Sequence, residues 1–295
     1  MRYRCQKGQA VLIVLLSLSV VLVIVMYILS RSITDISLSS KDENAMRAFS
    51  AAEAGVEKLL VTGLTESREI GGADFSASVT DFAAGQTYVT YPVSLKSGEL
   101  ATFWFVEHDS DGDLVCNATY PCFAGNQILL YWGDPGTSYN SDTTPAVELT
   151  VYYTTSALDL TTLQVKRATL DVHPTRTVSN NFTAATNLLY TINNESFQFR
   201  RSLFLGTNTA GLHLDIPNTD TPGILLYATV KMLYNTSVGH KVGLSADSAL
   251  PSQGSLIDSL GSYGGANRRI SVYQLHPVTP PVFMNALYSG TGIVK

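Results

Sequence analysis

The chain has 295 residues, enough for one large domain or two small ones. Its apolar residues crowd near the N-terminus, while most of the remainder reads as Thr-, Ser-, Asn- and Tyr-rich soluble protein. A formal net charge of -5 argues against a general nucleic-acid binder, which needs a basic surface to neutralise phosphates, so no specific nucleic-acid partner is inferred.

Arg2, Arg4 and Lys7 precede an uncharged run from Ala10 to Leu29. As a helix that run rises about 30 Å, the thickness of a bilayer's hydrocarbon core. The basic cluster ahead of it predicts a cytoplasmic N-terminus and an extracellular C-terminal bulk. A secretory signal peptide is the rival reading. Such peptides have shorter apolar cores and a small-residue cleavage site after them, whereas Arg31-Ser-Ile-Thr-Asp35 follows here. The expectation is a retained single-pass anchor, with the membrane as a partner.

Helical periodicity continues beyond the apolar run. Ala45, Phe49, Ala52, Val56 and Leu59 recur at 4-3-4-3 spacing, which predicts one apolar face. Glu43, Arg47, Glu53, Glu57 and Lys58 fall on the wet side. No proline precedes Pro92, and Gly63 is a plausible helix stop. One rod from Ala10 to Thr62, about 80 Å long, is predicted.

The short basic leader ends in Lys7-Gly8; the apolar run and then Ala48-Phe-Ser-Ala-Ala-Glu-Ala-Gly-Val-Glu57 follow in order. Over residues 1–65 the chain resembles the type IV pilin superfamily, most closely the minor pilins of the X type and the K-type pseudopilins of type II secretion. The resemblance implies that a prepilin peptidase cuts after Gly8 and that the new N-terminus, Gln9, is methylated. It also implies that the helix packs with those of other pilin-like subunits. In that setting the small residues Ala48, Ala51, Ala52, Ala54 and Gly55 admit close approach of neighbouring helices. Most pilins carry a glutamate as the fifth residue after the cut, where it pairs with a neighbour's N-terminus; this chain has Ile13. The K-type pseudopilins also lack it and stand at filament tips. Ile13 therefore favours a tip or initiation subunit, and it keeps open a single-pass surface adhesin outside any filament.

Three cysteines, Cys5, Cys116 and Cys122, are an awkward odd number for an exported protein. Removal of the leader takes Cys5 with it. Cys116 and Cys122 are then either a disulfide around Asn117–Pro121, which suits an oxidising compartment, or two buried thiols.

After Gly71-Gly72 short alternating runs separated by turn residues take over. Strands are expected at 87–95, 100–107, 127–132, 147–154, 162–172, 197–205, 212–216, 223–234, 270–276 and 282–289. Turns are expected at Lys96–Gly98, Asp109–Asp113, Asp134–Gly136 and Gly261–Gly265. The expected fold class is α+β: a long N-terminal helix, transmembrane and then amphipathic, packed on a mainly antiparallel β-sandwich-like extracellular domain. Its divisions are a leader at 1–8, a transmembrane helix at 9–30, an amphipathic extension at 31–65 and a β-rich domain at 66–295. That domain is either one body or two divided near Asn180-Asn181.

Asp109-Ser-Asp-Gly-Asp113 sets three carboxylates, Asp109, Asp111 and Asp113, at alternate positions on a turn. That arrangement suits calcium, but the EF-hand pattern is not met: glycine is fourth, and the twelfth position is Tyr120. The loop is therefore a calcium site or a plain acidic hairpin turn. The five histidines lack metal-ligand spacing, and no nucleophile elbow, phosphate loop or dinucleotide fingerprint is present, so the chain is not expected to be an enzyme. Asn117, Asn181, Asn194 and Asn235 each begin an Asn-x-Ser/Thr triplet, which an Asn- and Thr-rich chain produces by chance.

Overall fold

The computed structural model describes residues 7–207 and 211–278, with side chains from residue 11 onward. Helix α1, Lys7–Thr62, opens the chain; its 56 residues extend about 84 Å at 1.5 Å each. Six strands follow: β1 (Glu66–Ile70), β2 (Ala73–Asp81), β3 (Tyr88–Thr90), β4 (Leu100–Trp104), β5 (Glu107–His108) and β6 (Leu114–Val115). Next come β7 (Gln127–Trp132), β8 (Ala146–Thr154), β9 (Leu163–Asp171), the short helix α2 (Pro174–Ser179) and β10 (Thr183–Ala184). The described chain is completed by β11 (Thr186–Ile192), β12 (Glu195–Phe204), β13 (Leu225–Leu233), β14 (Val242–Ala246), β15 (Gly254–Tyr263) and β16 (Ala266–Leu275). The fold is α+β, one long apolar helix followed by several mainly antiparallel sheets.

The chain forms two compact units. Among the described residues, one holds the chain up to Val79 together with Ile257–Val272; the other holds the chain between Thr80 and Leu256 and Tyr273–Val278. Asn180-Asn181, the expected soft boundary, lies inside the second unit, where Asn180 caps the end of α2.

In the first unit α1 packs on the sheet ordered β1-β2-β15-β16. Gly71 and Gly72 join β1 to β2 with φ of 61° and 81°, and Ile70 pairs with Ala73 across them. Two left-handed residues in a two-residue loop match the twist of the flanking strands, and glycine adopts them without a Cβ penalty. Ala73, Phe75 and Ala77 alternate inward along β2 and meet Ala51, Val56 and Leu59 of α1.

The second unit contains two five-stranded sheets, β10-β9-β8-β13-β4 and β11-β12-β7-β14-β3. Their pairing is antiparallel except for β10 beside β9. Alternation along β8 and β13 turns Leu149, Val151, Ala228 and Val230 inward, while the pairs Thr150–Thr229 and Tyr152–Tyr227 take the other face. From the second sheet Ile128, Leu130, Trp132, Phe199 and Leu244 enter the same core.

Several expected strands are present with small shifts at their ends, among them β7, β8, β9, β12 and β13. The run 87–95 shortens to β3, with Leu95 making only a bridge to His240. The run 100–107 breaks at Phe105-Val106. There the chain leaves β4 and Phe105 donates to Leu226. Residues 212–216 form no strand. They bond to the end of β12 through Leu214 and Ile216, with Asp215 kinked at φ 53°. The run 282–289 lies outside the described residues. Gly261 is in β15 rather than in a turn, and the reversal uses Gly264 and Gly265 alone.

Candidate functional site

From Val11 to Leu29 α1 carries no charge, and each large apolar side chain there is about half exposed or more. By length and composition this helix can cross a membrane. The two serines in the run are neutralised locally. Ser17 Oγ donates to Val14 O at 2.9 Å and Ser19 Oγ donates to Leu16 O at 2.8 Å, so neither hydroxyl needs water. Fifteen Leu, Val and Ile side chains in this stretch favour insertion by on the order of 5–9 kcal/mol at about 0.3–0.6 kcal/mol each.

The second half of α1 faces its own chain. Ala48, Ala51, Ala52, Gly55, Val56 and Leu59 are buried, and Ala54 is half-buried. A Cβ on Gly55 would fall 2.3 Å from Ser259 Oγ, and one on Gly261 would fall 1.9 Å from Ala48 O. Helix and strand backbones therefore approach as closely as two backbones without side chains permit. The face is turned relative to the expected stripe. Phe49 is 44% exposed, and the smaller Ala48 occupies the contact because nothing larger fits against Gly261. The small residues expected to receive neighbouring helices, Ala48, Ala51, Ala52 and Gly55, are thus covered by the chain's own sheet. Met46, Phe49, Glu53, Glu57 and Leu60 form the outward side.

Polar contacts fix this packing at its margin. Arg47 pairs with Glu43 at 2.7 Å, donates to Tyr263 OH at 3.0 Å and lies over the Tyr263 ring. Asn44 Nδ2 donates to Gly264 O. The helix ends as expected at Gly63, whose φ is 64° and whose N–H reaches Leu59 O at 2.8 Å. Gly8 and Gln9, the residues implied for processing, have their backbone in α1.

Cys116 and Cys122 form a disulfide. The acidic run closes the β5–β6 hairpin, and Asp109 Oδ1 accepts from the backbone N–H of both Asp111 and Asp113 at 3.0 Å. This oxygen braces its own turn. Among the described residues no three His, Cys, Asp or Glu side chains are placed to hold a metal.

Three arrangements escaped the sequence analysis. The imidazoles of His108 and His276 stack 3.9 Å apart and nearly parallel, and Trp104 meets both edge-on. Burial lowers His108 to about 4, the neighbouring His276 adds to this, and Asp109 opposes it; burial also lowers His276. Asp171, fully buried, receives Arg176 through two bonds, while His173 and Pro174 start α2 between them. His-Pro before a short polar run was a readable helix start. The third is a hydroxyl-lined pocket between residues 137–144 and 235–240, whose polar sequence reads simply as loop. Compared with known proteins, the chain matches no family model, no curated protein and no solved structure.

Proposed function

We propose that the chain is a minor pilin-like subunit of a type IV filament, placed at its tip or in its initiation complex. Helix α1 holds it in the membrane, and the β-rich, sandwich-like domain is displayed outside for surface interaction or adhesion. The observation that carries this reading is the division of α1: its N-terminal half has an apolar surface without a partner, and the same unbroken helix is docked on a sheet. The resemblance of the leader and the AAEAG segment, Ala51–Gly55, supplies the family. Because the small-residue face is taken up internally, contact with other subunits falls to residues 11–40 and to the outward side around Met46 and Phe49. A single-pass adhesin outside any filament is the second reading. Ile13 favours it, since the acidic contact that docks most pilins is missing.

Mass analysis of the purified protein separates the two. Under the first reading the chain begins at a methylated Gln9, and Gly8→Ala leaves it unprocessed and missing from sheared filaments. An intact leader in the wild-type protein sinks the first reading and leaves the second.

A further inference from the structure

In the second unit the loop from Thr137 to Thr144 and the turn from Asn235 to His240 enclose a pocket of about 180 Å³. That is room for about six waters, at roughly 30 Å³ each, or for one sugar ring. No Lys, Arg, Asp or Glu lines it. Its wall carries the hydroxyls of Thr137, Ser138, Ser141 and Thr144 beside His240, whose Nδ1 lies 3.2 Å from Asp134 Oδ2. The hydroxyl protons are largely committed within the loop. Thr137 Oγ1 donates to Asp134 O at 2.6 Å, Ser138 Oγ to Asn140 Oδ1 at 2.8 Å and Thr144 Oγ1 to Ser138 O at 2.8 Å. Thr144 Oγ1 and Ser141 Oγ also accept from the N–H groups of Ser141 and Thr143, so what these hydroxyls still offer is their remaining lone pairs. Asn235 also lines the pocket. Its Nδ2 donates to Leu95 O at 2.8 Å and to Val238 O at 3.1 Å, which fixes the amide orientation, and its Oδ1 is buried with no partner. A buried acceptor without a donor costs about 1–3 kcal/mol and calls for one. Val238, 56% exposed at the rim, adds an apolar surface beside this polar wall.

We propose that this pocket binds a neutral polyhydroxylated ligand, one pyranose unit of a glycan. Such a ring brings a row of O–H donors to the acceptor wall and a C–H face to Val238. An ammonium group matches the acceptors less well, because without a lining carboxylate its charge is desolvated uncompensated. An apolar ligand would strip water from the hydroxyls and return nothing. The inference names what the displayed domain holds, and it stands whatever becomes of the N-terminal anchor.

The test uses the full chain in a zwitterionic, sugar-free detergent. Saturation-transfer NMR is recorded with D-glucose, D-galactose, D-mannose and N-acetyl-D-glucosamine at millimolar concentration. Transfer to at least one sugar is expected, and Ser237→Trp, at an exposed rim position, abolishes it while the melting temperature stays unchanged. Ser138→Ala, also exposed, weakens binding about two- to tenfold by removing one hydrogen bond. No transfer to any of the four sugars, or transfer unaffected by both substitutions, overturns the proposal. Failure here leaves the N-terminal mass untouched, so the two readings fail separately.

Discussion

Asp171 is fully buried, and its carboxylate oxygens meet three N–H donors. Arg176 reaches its two oxygens at 2.8 and 3.0 Å, and the His173 N–H adds a third bond at 2.9 Å. The guanidinium continues to Asp142 O and Thr144 O and lies 4.0 Å over the Tyr234 ring. Arg176→Met leaves that carboxylate unpaired in the interior, and a loss of about 3–5 kcal/mol in urea denaturation is expected. His108 poses the opposite problem. Its Nδ1 is buried without a partner, and it stacks on His276 near Glu107, Asp109 and Asp81. Its value falls from 6.5 to about 4 in the folded chain, so the unfolded chain binds more protons between those limits. Stability from this site is therefore complete above pH 6.5 and declines as pH falls toward 4. His108→Phe keeps the ring and removes the proton, so its melting temperature should fall less than wild type between pH 7 and pH 4.5.

At the scale of elements, the contact between α1 and β15 is the most demanding in the first unit. Gly261→Val inserts three carbons where even the first lies 1.9 Å from a carbonyl oxygen, so helix and strand must separate. An overpacking cost of about 1–3 kcal/mol or more is expected, read as a lower melting temperature and faster proteolysis after residue 40. The same contact explains what the sequence revealed and what it concealed. The helix was legible from periodicity and from Gly63, and strands such as β7 and β13 were legible because β-branched and aromatic residues alternate along them. β15 was hidden because close approach selects Gly254, Ser259 and Gly261, residues that read as loop. β1 was hidden because Glu66-Ser-Arg-Glu-Ile70 is an exposed edge, where charge and not alternation is the rule. Of the candidate site, the cysteine pair was legible from spacing. The inward turn of Ala48 depended on a glycine 213 positions later in the chain, which no local pattern carries.

For the whole molecule, the decisive quantity is the insertion energy of the apolar run. At about 5–9 kcal/mol it outweighs thermal exchange many times over but does not survive two charges. Leu18→Lys with Leu22→Lys costs about 5–7 kcal/mol together, at about 2.5–3.5 kcal/mol per residue near a helix centre. Alkaline carbonate extraction should leave the wild-type chain in the membrane pellet and release the double variant. Retention of both would mean that α1 is not what attaches the chain.

The dependence of α1 on β15 also sets an order of events during synthesis. Ala48 leaves the ribosome long before Gly261, and at about 5–20 residues per second the wait is roughly 10–40 s. Throughout that interval the Ala-rich face has no sheet to lie on, and only a chaperone or another helix can cover it. Folding of this chain is thus a timed process, in which the earliest segment made is among the last to find its place.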